Sequence, residues 1–335
     1  MTSPFITGDR ALVVAEIGNN HEGDAAVALD LVHRAADAGV DAVKFQTFRT
    51  ELFVRPSDTA RFERLKRYEL SPDTFARLAE AAHARGLRFV STPLDLASVS
   101  VLEPLVDAFK IASGDITFSP LIEQVARSGR PVLLSSGASD VDEIQRAIAL
   151  LRRTWAERPA TPELVVLHCV SCYPAPDDQA SLAAIPFLRR ALGVPIGYSD
   201  HTLGIDAAVY AAVLGAVVIE KHFTLDKQYS DFRDHQLSAD PAEMRTLVDR
   251  VRQAQRLVGS GGKAVQECEG PMREAIRRSI VAAGDLPAGH VLGADDLLWM
   301  RPATGIAPGA ESQLVGRRLT RVLNRGDILS ADDAD

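Results

Sequence analysis

IGYSDHTLGIDAAVYAAVLGAVVIEKHF, residues 196–223, contains two short apolar runs, each ending in a histidine, with a helix-like segment between them. His201 follows PIGYSD and His222 closes VVIEKH, and each has a carboxylate nearby, Asp200 and Glu220. A strand–helix–strand reading makes the two runs parallel neighbours, because parallel strands need a crossover of about a dozen residues or more. The two imidazoles then stand at the same end of adjacent strands. Whether they face a site depends on how often this unit repeats.

The unit recurs along the chain. LVVAEIG (12–18), DAVKFQTF (41–48), LRFVSTP (87–93), DAFKIASG (107–114), PVLLSSG (131–137), ELVVLHCV (163–170), VPIGYSD (194–200) and AVVIEKHF (216–223) all read as strands. Helical patterns lie between them, as at 25–39, 71–86 and 139–153. The first two open at good capping residues, and Gly39 and Gly86 stand where a left-handed C-terminal cap is wanted. Eight βα units within about 225 residues predict a closed (β/α)8 TIM barrel, a fold of about 250 residues. An open doubly wound sheet is the alternative, but its Gly-rich dinucleotide turn is missing. IGNNHEG after the first strand has the wrong spacing.

The pattern weakens beyond a helix at 241–258. VGSGGKAVQECEG (258–270) is polar and Gly-rich and reads as a linker. The remainder has short strands and G-D-L-P-A-G and R-G-D turns, the pattern of a small β-rich module. The expected division is a catalytic barrel over 1–260, a linker over 261–275 and the β-rich domain over 276–335.

Among 335 residues, 46% are hydrophobic and 24% charged, ordinary values for a globular protein. A formal charge of −8 argues against nucleic acid or an anionic membrane as the main partner. MTSPFITGDRALVV lacks the features of a signal peptide, and the longest apolar run, 207–219, is too short to span a bilayer. With only three cysteines no disulfide framework is expected, and a cytoplasmic location fits. Cys169 and Cys172 form an isolated C-x-x-C with no second pair to complete a zinc site.

Chemistry in a parallel barrel sits at the carboxyl ends of the strands, and here those ends are polar. Glu16 lies in the first strand, Lys44 and Gln46 in the second, and Ser91 and Thr92 in the third. Lys110 and Ser113 follow in the fourth, Ser135 and Ser136 in the fifth, and His168 in the sixth. Ser199, Asp200 and His201 end the seventh, while Glu220 and His222 share one face of the eighth. A single charge of this kind is more often part of a rim ion pair than of a site. Eight polar strand ends on one rim are harder to explain that way. Lys44 and Lys110 sit in apolar runs where an unpaired ammonium is costly, so they need anionic partners. Glu16 is one candidate and a phosphate or carboxylate ligand another. The accompanying hydroxyls favour an oxyanion cradle over a Schiff-base lysine. His201 and His222 suit an open site for Mn²⁺ or Mg²⁺, although spacing alone equally describes two hydrogen-bonded barrel histidines. DFRDHQLSADP (231–241) reads as a βα loop that brings Asp231, Asp234 and His235 over the same mouth.

AEIGNNHEGD, VKFQTF, STPLD, FKIASGD, SSGAS, LHCVSCYPAP, IGYSDHTLG, EKHFTLDK and DHQLSADP occur in the order found in sialic acid (N-acetylneuraminate) synthases and related nonulosonic acid synthases, which the chain resembles over nearly its whole length. RRSIVAAGDLPAGHVLGADDLLWMRPATGI resembles their antifreeze-protein-like SAF domain. The resemblance implies a PEP-dependent transferase that condenses phosphoenolpyruvate with an open-chain 2-acetamido sugar, typically N-acetylmannosamine, and releases phosphate. It implies that His201 and His222 hold Mn²⁺ or Mg²⁺ as a Lewis acid for the sugar aldehyde. Lys44, Lys110, Ser113 and Ser199 map to the phosphoenolpyruvate cradle, and Glu16 and Asp234 to acid–base or sugar-orienting positions. Gln46, Thr92 and Tyr173 map to the sugar pocket. Arg301 matches an arginine that one subunit places over its partner's barrel, which implies a domain-swapped homodimer.

Some positions depart from that pattern. Asp115 stands where N-acetylmannosamine-using members often have glutamate, Leu94 where they have phenylalanine, and Ser171 where some have asparagine. RPATG replaces the usual RPGTG, and the segment after the second strand lacks the longer Lys- and Asn-containing stretch. The reaction class is therefore expected while the sugar stays open, with legionaminate, pseudaminate and spore-coat synthases as relatives sharing the core. A synthase acting on a sugar phosphate would need further basic residues, for which Arg55, Arg61 and Arg64 are the candidates. A non-catalytic carbohydrate- or ice-binding protein would be expected to show an eroded barrel mouth, yet Glu16, Lys44, Lys110, His201, His222 and Asp234 are all present.

Overall fold

The computed structural model describes residues 5–6, 10–156, 158–259 and 261–335. Eight parallel strands close into a barrel in chain order: β1 (Leu12–Gly18), β2 (Ala42–Thr47), β3 (Arg88–Pro93), β4 (Ala108–Ile111), β5 (Val132–Ser135), β6 (Leu164–Cys169), β7 (Ile196–Asp200) and β8 (Val218–His222). The expected (β/α)8 fold is the observed one. β1 pairs with β8 to close the sheet, so no hydrogen-bonding edge is left exposed.

Local sequence accounts for the helices. Asp24 caps Ala25–Ala38 by accepting from the Ala26 and Val27 amides, and Gly39 ends that helix at φ 85°. Ser71 caps Pro72–Ala84, with proline in the first turn. Asp140 and Glu143 form a reciprocal capping box on Val141–Trp155.

Strand alternation then divides the barrel. Outward-facing Val13, Ala15, Ile17, Val43, Phe45, Phe89 and Phe109 pack against Leu31, Phe75, Leu78 and Leu102 of the surrounding helices. Inward-facing Leu12, Val14, Ala42, Val90, Ala108, Leu133, Val165 and Val218 fill the interior near the amino ends of the strands. The same inward series continue as Glu16 on β1, Lys44 on β2 and Glu220 and His222 on β8, so the interior turns from apolar to charged along its axis.

The first compact unit runs to Gly259 and the second begins at residue 260. The expected barrel limits at residues 1 and 260 lie outside the described residues. Within the second unit, the stretch read as a linker carries a turn Glu267–Glu269, opened by a Gln266–Glu269 capping box, and a helix Gly270–Ile276 with Pro271 in its first turn. β9 (Ser279–Ala282) and β10 (Leu297–Met300) pair antiparallel over a small core that includes Ile280, Leu292, Leu297, Leu314, Leu323 and Leu329. No helix among the described residues is long and apolar enough to cross a membrane.

Candidate active site

A cavity of about 880 Å³ opens at the carboxyl ends of the strands. Sheet register sets its floor. Glu16 lies level with Lys44 on β2 and with His222 on β8, and Ser199 lies level with Glu220. Lys44 Nζ reaches Glu16 Oε2 at 2.7 Å, Glu220 Oε1 at 3.6 Å and Thr92 Oγ1 at 3.4 Å. Lys110 Nζ meets Glu220 Oε1 at 3.1 Å, and the Ser199 hydroxyl donates to the same oxygen at 2.8 Å. Two lysines and two glutamates thus form one buried, charge-balanced cluster, which resolves the cost of placing ammonium groups in apolar strands.

The four charges are not equivalent. Burial opposes ionisation of Glu220, but Lys110, Lys44 and the Ser199 hydrogen bond overcome it and hold the carboxyl at about 2. Burial raises Glu16, with Lys44 pulling the other way and Glu220 adding to the rise. Lys44 is held above its ordinary value, because Glu16 and Glu220 outweigh the burial that opposes its charge. Burial keeps Lys110 below its ordinary value despite Glu220.

His201 and His222 stand beside this cluster with ring centroids 5.6 Å apart. Burial lowers both; His222 falls well below the usual imidazole value, helped by His201 and Lys44. His201 Nδ1 donates to the Val170 carbonyl at 2.7 Å, so Nε2 carries the lone pair; it lies 3.4 Å from the Ser199 hydroxyl, whose proton goes to Glu220. His222 Nδ1 is buried and has no hydrogen-bond partner. Two neutral imidazoles with unshared lone pairs beside a carboxylate cluster fit a divalent cation that takes its other ligands from water or substrate. Among the described residues no group of three or more His, Cys, Asp or Glu forms a fuller cage.

The carboxylate next to His201 in sequence has another role. Strand alternation turns Asp200 outward, where it pairs with Lys221 at 3.0 Å and accepts from the Thr202 amide and hydroxyl. Both Asp200 and Lys221 are at most 1% exposed and join the sheet to the chain that follows β7.

β4, β5 and β6 converge on Gly137. Its amide donates to Ser113 Oγ at 3.0 Å, and Ser113 contacts Cys169 Sγ at 3.2 Å. A β-carbon there would lie 2.3 Å from Ser171 Oγ and 2.9 Å from both Cys169 Sγ and Ser113 Oγ, so only glycine leaves this concave wall intact. Tyr173 covers the imidazoles, with its ring 4.2 Å from that of His201, and Arg233 lies 5.1 Å above the Tyr173 ring. Gln46 donates to Glu16 at 3.4 Å and accepts from Asn19 at 3.0 Å.

Glu16, Lys44, Gln46, Thr92, Lys110, Ser113, Ser171, Tyr173, Ser199, His201, His222 and Asp234 all line this cavity. Asp115 does not. It ends the 3-10 turn Ser113–Asp115, which gives Ser113 and Gly114 to the wall, and burial raises its carboxyl to about 6. Arg301 follows β10 in the second unit and is exposed. The segment read as a loop over 231–241 contains a short helix, Arg233–Leu237. The sequence puts Glu220 on the face of His222 without giving it a role; the structure makes it the shared partner of Lys44, Lys110 and Ser199. Sequence reading missed Asn19, Tyr68 and Phe232 in the wall. Arg61 and Arg64 line the rim, Arg61 lying over the Phe53 ring, whereas Arg55 is not in the wall.

Fold and site together define a (β/α)8-barrel enzyme with an anion-compatible cavity beside two neutral imidazoles. The NeuB family model matches residues 31–263 and the SAF domain model residues 277–335, and the chain belongs to the NeuB family. It is similar to an N,N'-diacetyllegionaminic acid synthase of Legionella pneumophila, 40% identical over 95% of this chain and 92% of that protein. The N-acetylneuraminate-9-phosphate synthase of Mus musculus is 32% identical over 96% of this chain and 92% of its own. The crystal structure of N-acetylneuraminic acid synthetase from Leptospira borgpetersenii superposes with a TM-score of 0.75 at 34% identity, covering 81% of this chain and 94% of that one. The protein is thus an enzyme of the sialic acid synthase type.

Proposed function

We propose that the protein condenses phosphoenolpyruvate with an open-chain 2-acetamido sugar to give a nine-carbon nonulosonic acid and phosphate. The observation that carries this reading is the meeting of Lys44 and Lys110 with the hydroxyls of Thr92, Ser113 and Ser199, next to two neutral imidazoles in one cavity. The lysines and hydroxyls bind the phosphate and carboxylate of phosphoenolpyruvate by charge-assisted hydrogen bonds. His201 and His222 would hold a divalent cation, Mn²⁺ or Mg²⁺, which would supply Lewis-acid polarisation of the sugar aldehyde. Glu16, raised by burial, is placed to exchange a proton at this end of the cavity. A carbon–carbon bond forms between the phosphoenolpyruvate methylene carbon and the aldehyde carbon. Water adds at the enol carbon and the bond from that carbon to the phosphate oxygen breaks, so that the water oxygen becomes the keto oxygen and its two protons end on the former aldehyde oxygen and on the departing phosphate. Arg301 of a partner subunit completes the sugar pocket in a domain-swapped homodimer.

Phe53, Leu65, Leu94 and Phe232 put apolar surface in the cavity wall, which suits the methyl groups of a 2,4-diacetamido-2,4,6-trideoxy sugar. The Legionella relative's name points the same way. Arg61 and Arg64 on the rim support a second reading, an acceptor carrying a terminal phosphate. Phosphate release from phosphoenolpyruvate with Mn²⁺ tests these readings with N-acetylmannosamine, its 6-phosphate and the trideoxy sugars side by side. Turnover of the trideoxy sugar is expected, turnover of the 6-phosphate would favour the second reading, and release with no acceptor would overturn both.

A further inference from the structure

Asp234 and His235 are neighbours on the helix Arg233–Leu237, but only Asp234 faces the cavity. Asp234 lines the cavity, and its Oδ1 is buried with no hydrogen-bond donor and only an ion-pair contact from Arg233 Nε at 3.4 Å. His235 is absent from the cavity wall and completely buried. Both of its ring nitrogens are engaged. Nδ1 meets Thr224 Oγ1 at 2.7 Å, at the exit of β8, and Nε2 donates to Glu22 Oε1 at 3.1 Å. A carboxylate only accepts, so this contact places the proton on Nε2.

Glu22 belongs to the turn after β1 and lies 213 residues from His235 in sequence. It is held at φ 48°, a conformation that non-glycine residues seldom adopt. The same Oε1 also accepts from the Ser230 hydroxyl, at the start of the segment that carries Asp234. Asn20, in the same turn, donates to Ser238 Oγ at 3.0 Å, just past the end of the helix. The segment over the mouth is therefore fastened at its front, middle and rear to the first βα turn. Of the residues that make these contacts, Ser230 lines the cavity, whereas Glu22, His235, Asn20 and Ser238 do not.

We propose that Glu22 and His235 form a positioning pair that holds the Arg233–Leu237 helix so that the Asp234 carboxylate faces the sugar acceptor. A helix of five residues has too few internal hydrogen bonds to be stable alone, so its orientation comes from such outside anchors. A carboxylate displaced by about 1 Å loses much of its use to a bound reactant. The pair acts through Asp234, and the proposal rests on the acceptor binding in this cavity.

Steady-state kinetics of Glu22→Ala, Glu22→Gln, Asp234→Asn and the Glu22→Ala/Asp234→Asn double variant tests this, together with amide hydrogen exchange over 229–238. Glu22→Ala is expected to raise the acceptor KM about tenfold while phosphoenolpyruvate KM stays within about twofold. Glu22→Gln is expected to restore most of the loss, because its amide oxygen accepts from the same two donors. In the Asp234→Asn background, Glu22→Ala is expected to cost nothing further, since one unit is already disabled. Exchange over 229–238 is expected to quicken at least about tenfold in Glu22→Ala, with the strands unchanged. Equal loss for both substrates, a full additional loss in the double variant, or unchanged exchange would each overturn the proposal. Should Glu22→Ala fail to fold, Glu22→Asp takes its place, its shorter carboxylate giving the same split at smaller size. If no acceptor is turned over by the wild-type enzyme, the proposed reaction fails while the exchange data still decide whether the pair anchors the segment.

Discussion

Lys110 Nζ and Glu220 Oε1 lie 3.1 Å apart across the barrel interior, on β4 and β8, with both side chains at most 5% exposed. Burial depresses Lys110; Glu220 is the largest of the attractions that oppose it, and Lys44 lowers it further. Glu220→Gln keeps the shape and removes the counter-charge, so the Lys110 pKa falls further and its cationic fraction drops. The phosphoenolpyruvate KM is expected to rise about tenfold at neutral pH, and more steeply with pH than in the wild type. Titrating phosphoenolpyruvate from pH 6 to about 9 checks this; overlapping KM profiles would remove the role given to Glu220.

Gly137 leaves room where three strand ends meet. Gly137→Ala forces its methyl against Ser171, Cys169 and Ser113. The expected result is a phosphoenolpyruvate affinity lower by about tenfold or more, with a stability loss of about 1–3 kcal/mol from overpacking. Calorimetric titration alongside urea unfolding separates the two. Wild-type affinity in a folded variant would show that this wall does not touch the ligand.

His201 and His222 present lone pairs to the same space. His222→Ala is expected to weaken Mn²⁺ binding about a hundredfold and abolish turnover. Electron paramagnetic resonance of added Mn²⁺ reads the affinity without relying on activity. If His201→Ala and His222→Ala both bind Mn²⁺ as the wild type does, the cation belongs elsewhere.

Arg301 lies outside the barrel unit. If it serves a partner's cavity, Arg301→Ala raises the acceptor KM and leaves that of phosphoenolpyruvate nearly unchanged. Mixing Arg301→Ala with Lys44→Ala is then expected to restore about a quarter of the wild-type rate, because one intact composite site forms in half of the dimers. No recovery after demonstrated subunit exchange would count against the swap.

His21 is buried against Phe45, and burial lowers its pKa to about 4. A histidine held neutral in the folded state contributes stability above the unfolded value near 6.5. That contribution is lost as pH falls toward about 4, to a limit of about 3 kcal/mol. Chemical unfolding of the wild type and His21→Gln between these pH values is expected to show the slope in the former and a flatter line in the latter. Parallel slopes would assign the acid sensitivity to other groups.

Much of this site was legible because strands alternate. Once eight βα units are recognised, period two puts Glu16, Lys44, Gln46, Glu220 and His222 inside the barrel, and parallel topology puts them at one end. The same rule turns Asp200 outward, although adjacency in sequence makes it look like a partner of His201. Alternation stops where β4 gives way to a 3-10 turn, and there Asp115 falls outside the cavity wall that Ser113 and Gly114 line. Arg61 and Arg64 sit on a helix, Thr59–Tyr68, inserted after β2, whose approach to the mouth no local pattern announces.

The chain by itself determined the number of βα units, the faces of its strands and the family motifs. These follow from backbone geometry and local burial, which neighbouring residues encode. Only the tertiary structure decided which charges neutralise one another and which turns hold the mouth. Closure of β1 on β8 brings Glu22 to His235 and Lys44 to Glu220, and contacts across such separations follow from the packed barrel as a whole.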